Sequence, residues 1–140
     1  MDCPFCVLTE KDRGRIVHQG DQVTVLLSDP CLMRGHLLVI PKRHIEKPWE
    51  LLPEERREVF DTLLDFQRKF VSAFSTGCDI REHYRPFLAP SATKVNHLHF
   101  HLHPRELEDA LYQKSQIGER ELWQALSDEE ASAMRKVLEG

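Results

Sequence analysis

A chain of 140 residues, 41% apolar and 30% charged, suits a soluble fold that buries a core and excludes a disordered one. Its formal charge of −4 argues against a protein that coats nucleic acid, while leaving room for a small anionic ligand held by a few local donors. No apolar run approaches the roughly 20 residues that a bilayer span needs, and residues 1–10 (MDCPFCVLTE) carry charge where a secretory signal would be apolar. The expected address is cytoplasmic, with no membrane partner.

Cys3-Pro4-Phe5-Cys6 opens the chain as a C-x-x-C pair, which is either a redox pair or half of a metal site. No thioredoxin-like context surrounds it, and a tetrahedral zinc would need two further N or S ligands. Cys31 and Cys78 have no partners at metal spacing and are expected to be plain thiols. Gly14 and Gly20-Asp21 punctuate two β-like runs, Arg15–His18 and Gln22–Ser28, and Asp29-Pro30 turns the second. Gly35–Ile40 reads as a third strand, stopped by Pro41.

A long helix is expected over 53–76. Pro53 suits a first helical position, Glu54 and Glu55 complement the helix dipole, and Val59, Leu63, Phe66, Phe70 and Phe74 recur at steps of three and four. Gly77 stops it. Ile80–Phe87 and Val95–His103 are expected as the fourth and fifth strands. Beyond Pro104 the chain turns helical. Ser127 and Glu130 have the form of a capping box, and Met134, Val137 and Leu138 give the last helix its buried stripe. The fold class is therefore α+β: one domain over 1–140 with an antiparallel sheet of about five strands, one long helix and C-terminal helices. Trp49 and Trp123 are expected as packing anchors, and His18 and His83 as surface residues.

The most informative segment is Asn96–Arg105, NHLHFHLHPR. In a strand, alternate side chains share a face, so Leu98, Phe100 and Leu102 would face the core and His97, His99, His101 and His103 the opposite side. A plain surface strand would use Thr, Lys and Glu there. A metal-storage tract would lack the interleaved apolar residues. Neutral imidazole is both a nucleophile and an acid–base group near pH 7, so this face suits attack on a phosphate ester or anhydride; binding a metal is the alternative.

His97 to His103 resembles the signature of the histidine-triad family, His-φ-His-φ-His-φ-φ with φ apolar; His103 departs from it. Gly35 to His44 (GHLLVIPKRH) resembles the family's second hallmark, a strand ending in Ile-Pro-Lys-x-His. The resemblance covers most of the chain and implies the histidine-triad fold. The Pro104-Arg105 ending looks like the dinucleoside-polyphosphate-hydrolase branch.

The resemblance implies that His99 is the catalytic nucleophile on the α-phosphorus of a bound nucleotide. It implies that His101 touches phosphate oxygens and assists proton transfer. His36 matches a histidine near the nucleotide, against a structural role beneath the strand. The ribose position falls on Ser28, whose single hydroxyl cannot grip both ribose hydroxyls, with Asp29 as a substitute. Leu26 matches a position against the base, or is simply a core residue. Thr93 and Lys94 take the places of the phosphate loop, Lys94 being either a cation for a polyphosphate or a solvated lysine. The resemblance further implies a structural zinc held by Cys3, Cys6, His44 and His97, and a homodimer. The expected ligand is a small nucleotide substrate rather than a nucleic-acid polymer. A purine nucleoside phosphoramidase, a nucleotide sensor of low turnover and a metal-binding protein are the competing functions.

Overall fold

A computed structural model of the protein describes residues 3–140. Two compact units make up the chain, Met1–Glu106 and Leu107–Gly140. The first is built on five antiparallel strands in the order β1-β2-β3-β5-β4, with β1 at Ile16–Gln19, β2 at Val23–Leu27, β3 at Leu37–Pro41, β4 at Gly77–Arg81 and β5 at Phe100–Arg105. A short helix α1 (Glu10–Arg13) precedes the sheet, and α2 (Pro53–Ala73) links β3 to β4. This is the α+β architecture the sequence implied.

Strand alternation sorts the core into two faces. Val23, Val25, Leu37, Val39, Phe100 and Leu102 pack with Val59 and Leu63 of α2. Leu26, Leu38 and Ile40 form a separate cluster on the other face, against Phe5, Leu8 and Ile16. Burying each such side chain removes about 1.5–3 kcal/mol of unfavourable hydration.

The start of α2 is pinned by a buried carboxylate. Glu55 accepts from the Leu52 amide at 2.8 Å, as a helix-start residue should, and from Arg43 Nη2 and Nε at 2.8 and 3.1 Å. The guanidinium beside it holds the Glu55 carboxyl below its usual range. That ties α2 to the segment after β3, which carries His44. Gly35 is the other fixed point. Its φ of +82° is open to glycine, and a Cβ there would meet Phe74, Pro104 and Phe70 at 3.0–3.2 Å. The close packing sets the position of His36, the next residue.

Several expected boundaries moved: β3 runs Leu37–Pro41, β4 ends at Arg81 rather than Phe87, β5 ends at Arg105 rather than His103, and three further shifts have a visible cause. Helix α2 ends at Ala73 because the amides of Phe74 and Ser75 both turn onto the Phe70 carbonyl, at 2.8 and 2.9 Å. Strand β4 starts at Gly77 rather than Ile80, because Thr76 is tied to Glu106 through its amide and hydroxyl and brings the chain into register beside β5. Strand β5 starts at Phe100 rather than Val95. Residues 97–99 leave the ladder so that the His97 ring can reach Pro41 and the Leu98 amide can reach the Ile45 carbonyl at 2.6 Å.

The second unit holds α3 (Ala110–Arg120) and α4 (Asp128–Glu139). Asp109 caps α3 by accepting from the Tyr112 amide at 2.7 Å, and Ser127 caps α4 by accepting from the Glu130 amide at 3.1 Å. The stripe Met134, Val137, Leu138 is exposed, contrary to its expected burial. Trp49 and Trp123 are exposed too, so neither is a core anchor; the Trp49 ring lies edge-on to that of Tyr84 at 5.1 Å. Among the described residues no helix is long and apolar enough to cross a membrane.

Candidate active site and metal centre

The face of the sheet turned away from α2 carries the histidines. The register places Ile16, Leu26, Leu38, His101 and Arg81 in one row across all five strands. The neighbouring row pairs His103 with Asp79. The face thus runs from apolar at β2–β3, through imidazole at β5, to a cation at the β4 edge. A cleft of about 290 Å³ opens at the apolar end, lined by Phe5, Leu8, Thr24, Leu26, Ile40 and Lys42 among others. Phe5 links that cleft to the triad, its ring edge-on to His99 at 5.2 Å.

Hydrogen bonds fix the tautomers. A carbonyl can only accept, so the 2.7 Å contact of His99 Nδ1 with the His97 carbonyl puts the hydrogen on Nδ1. The lone pair of His99 therefore sits on Nε2, the requirement for a nucleophile. An amide N–H can only donate, so the Leu32 amide, 3.1 Å from His36 Nδ1, puts the His36 hydrogen on Nε2. That Nε2–H donates to His101 Nδ1 at 2.9 Å, which leaves His101 with an Nε2–H of its own. His99 and His101 lie ring to ring at 4.9 Å, a nucleophile beside a donor. Burial lowers the basicity of all of them. It pushes His36 down to about 4 and His101 to about 3, with neighbouring imidazoles adding to the effect, and it lowers His99 despite the bond to His97. The site is neutral at pH 7.

His36, His101 and His103 also bring ring nitrogens within 4.8 Å of one another, a spacing that a metal ion could bridge. The tautomers argue against it, since His36 Nε2 carries the hydrogen that His101 accepts. His36 and His101 form a hydrogen-bonded pair, and His103 packs edge-on to His36 at 4.5 Å without joining it. His103 itself is buried, pushed down to about 3 chiefly by burial, and neither ring nitrogen meets a hydrogen-bond partner among the described residues. Replacing an unsatisfied buried polar group by an apolar one of similar size relieves desolvation. His103→Leu should therefore raise unfolding stability by about 1 kcal/mol, read as a higher denaturant midpoint. A lower midpoint would show that the imidazole has a bonding role.

A second cluster lies at the other end of the triad. Cys3 Sγ is 3.3 Å from His97 Nδ1, and Cys6 Sγ is 3.2 Å from His44 Nδ1 and 3.5 Å from His97 Nδ1. All four donor atoms lie within 4.8 Å of one another. Zn–S and Zn–N bonds in a tetrahedron would set S and N about 3.6 Å apart, close to these separations. The outer partners fit as well. His97 Nε2 donates to the Pro41 carbonyl at 2.7 Å and His44 Nε2 to the Glu46 carboxylate at 3.3 Å, so each ring offers its Nδ1 lone pair to the sulfurs. The four residues singled out in the sequence are brought together, and their donor set matches a closed, structural zinc site.

The loop residues fare differently. Ser28 gives its hydroxyl to the Pro30 carbonyl at 2.7 Å, and Asp29 is exposed. Lys94 directs its ammonium to the Leu88 carbonyl in its own loop, and Thr93 is exposed beside Ser91. None of the four side chains joins the histidines, although the Ser28 amide donates to the His36 carbonyl at 2.8 Å. Cys31 is an exposed thiol; Cys78 is a partly buried one, pushed up to about 11 by burial. His18 is exposed, as expected. His83 is exposed, as expected, with its ring 5.5 Å from that of His101; Arg81, opposite His101 in the register, was not foreseen. Both depend on how β4 registers against β5, which no local motif encodes.

The HIT domain model matches residues 9–108. The chain belongs to the HIT, or histidine-triad, family. A curated relative is the galactose-1-phosphate uridylyltransferase of Rattus norvegicus, 30% identical over 133 residues. The match takes in 90% of this chain, but the chain spans only 35% of that enzyme. Among solved structures, a HIT family protein from Bacillus anthracis superposes with a TM-score of 0.70 at 21% identity, covering 98% of this chain and 94% of the other. A Zn-bound histidine triad protein from Mycobacterium smegmatis gives 0.65 at 25% identity, covering 78% of each. The diadenosine triphosphate hydrolase of Plasmodium falciparum gives 0.63 at 19% identity, covering 73% and 68%.

Proposed function

We propose that this protein is a nucleotidyl hydrolase that cleaves a nucleotide conjugate at its α-phosphorus through a covalent His99 intermediate. The observation that carries the proposal is the 2.7 Å bond from His99 Nδ1 to the His97 carbonyl, which leaves Nε2 as the free nucleophile. The nucleoside occupies the cleft beside Phe5, Leu26 and Ile40. His99 Nε2 attacks phosphorus, forming an N–P bond, and the P–O bond to the leaving group breaks with its electron pair on that oxygen. His101 donates a hydrogen bond from Nε2. That hydrogen is the one His101 shares with the leaving oxygen as the P–O bond breaks. Water then displaces His99 and releases the nucleoside monophosphate. In the same reading Cys3, Cys6, His44 and His97 hold a structural zinc that supplies no chemistry to the reaction.

A nucleotide sensor of low turnover is the second reading. It is favoured by Ser28 and Lys94, each of which spends its polar group inside its own loop. Intact-protein mass spectrometry after brief acid-free quenching decides between the two. The panel is dinucleoside polyphosphates and nucleoside phosphoramidates of adenine and guanine, with product release followed in the same tubes. The hydrolase reading expects a nucleoside-monophosphate adduct on His99 together with free monophosphate, and the productive conjugate names the leaving group. Neither adduct nor product, with nucleotide still bound, supports the sensor.

A further inference from the structure

The cleft beside Phe5 is apolar along its walls and polar at one end. Gln19, Thr24 and Ile40 lie opposite one another in the register, one row along the strands from Leu26, Leu38 and His101. Gln19 is on β1, the edge strand three places from β5 in the sheet. It stands roughly 14 Å from the triad strand, at three strand spacings of ~4.8 Å each. Lys42 follows β3. Its amide still donates to the Gln22 carbonyl at 2.8 Å, so strand alternation carries its side chain to the face of Leu38 and Ile40. Gln19, Thr24 and Lys42 all line the cleft.

Donors outnumber acceptors at this end. The buried Thr24 hydroxyl donates to Gln19 Oε1 at 3.2 Å. That bond orients the amide and leaves Nε2, with its two N–H bonds, on the side away from Thr24. The Lys42 ammonium adds three N–H bonds and no acceptor. Among the described residues neither nitrogen meets a partner of its own.

This imbalance has a chemical meaning, given the hydrolase reading on which the inference rests. With the α-phosphorus at His99 and the sugar next to it, the outer edge of the base is the part of the nucleoside that reaches Gln19 and Lys42. Apolar walls hold any base and do not tell one from another. Adenine and cytosine turn an amino group, a donor, to that edge, whereas guanine, hypoxanthine and uracil turn a carbonyl oxygen. An amino group would set its N–H bonds against the Lys42 ammonium, and the amide oxygen that could accept from it is held by Thr24. A carbonyl oxygen accepts from both nitrogens.

We propose that Gln19 and Lys42 contact the outer edge of the base and select a nucleotide that carries a carbonyl group there, an oxopurine or an oxopyrimidine, over its amino counterpart.

Calorimetric binding of nucleoside monophosphates, the products of the proposed reaction, tests this without turnover. Inosine and adenosine monophosphates differ by a carbonyl in place of an amino group at the base edge, and uridine and cytidine monophosphates differ in the same way. Wild type should bind the carbonyl member about five- to twentyfold more tightly, as one charge-assisted hydrogen bond allows. The purine and pyrimidine pairs together show which ring the cleft accepts. In Lys42→Met the ratio should fall to about twofold or less, while Lys42→Arg, which keeps the charge and the donors, should retain it. Gln19→Leu should lower it part-way. Both side chains are exposed, so neither change disturbs the core. Equal affinity within both pairs in wild type overturns the proposal, and so does a preference that survives Lys42→Met unchanged. Failure to bind any of the four overturns it together with the nucleotide reading. A preference found in a protein that turns over no conjugate upholds the proposal and removes the hydrolase reading alone.

Discussion

His99→Ala is expected to abolish turnover and to leave nucleotide binding nearly intact. Without the imidazole no nitrogen attacks phosphorus. The remaining face can position a substrate, but no other side chain on it offers a lone pair held in the same way. His101 spends its Nδ1 lone pair on the hydrogen of His36, and His97 offers its Nδ1 to the cysteines. Removing a covalent nucleophile costs on the order of 10³-fold or more in kcat. The substituted side chain lies on the ligand-facing surface rather than in the helix-facing core, so stability should be little changed. The measurement is kcat with the conjugate found productive, alongside nucleotide affinity. Retention of more than about 1% of kcat would remove His99 from the covalent step. His101→Ala separates the roles further. As a proton donor it should cost about 10²–10⁴-fold with a basic leaving group, and much less when the leaving group is a stable anion that needs no proton. A loss independent of the leaving group would make His101 a positioning residue.

Part of this site was legible in the sequence because its chemistry repeats at short range. Alternating imidazole and apolar side chains over His97–His103 state a strand with a core face and a polar face. The apolar half of that statement holds in the packing of Phe100 and Leu102 under α2. Glu54 and Glu55 after Pro53 mark a helix start by local electrostatics alone, and α2 begins there. The edge strand was harder. Gly77–Arg81 has neither an apolar alternation nor a β-branched run beyond Ile80, because an edge strand is only half covered. Its register is set by contacts such as Thr76 with Glu106, thirty residues apart. Arg81 was hidden for that reason. Residues 97–99 show the opposite case, a segment with a perfect strand pattern that leaves the ladder because a tertiary contact, His97 to Pro41, outweighs pairing. The exposed stripe of α4 shows that periodicity reports an apolar face without reporting what covers it.

Zinc removal should unfold more than the N-terminus. The four donors come from widely separated places: Cys3 and Cys6 before the sheet, His44 after β3 and His97 before β5. An ion shared by them closes long loops, and its binding free energy is folding free energy. Purified protein should contain one zinc per chain by elemental analysis. Cys6→Ser or exhaustive chelation should remove it and lower the thermal midpoint by about 10 °C or more, given several kcal/mol lost from a unit of this size. The consequence reaches the catalytic strand through one residue. His97 offers its ring to the cysteines, while its main-chain carbonyl holds His99 Nδ1 at 2.7 Å. Once the sulfurs let go, the ring keeps only its bond to Pro41, and the carbonyl that holds His99 Nδ1 is less firmly fixed. The metal-free protein should then lose turnover at temperatures where its sheet is still folded, and readdition of zinc should restore both turnover and midpoint. Protein purified without zinc that melts at the same temperature before and after chelation would mean that Cys3 and Cys6 are ordinary thiols. His97 would then be positioned by its bond to Pro41 alone.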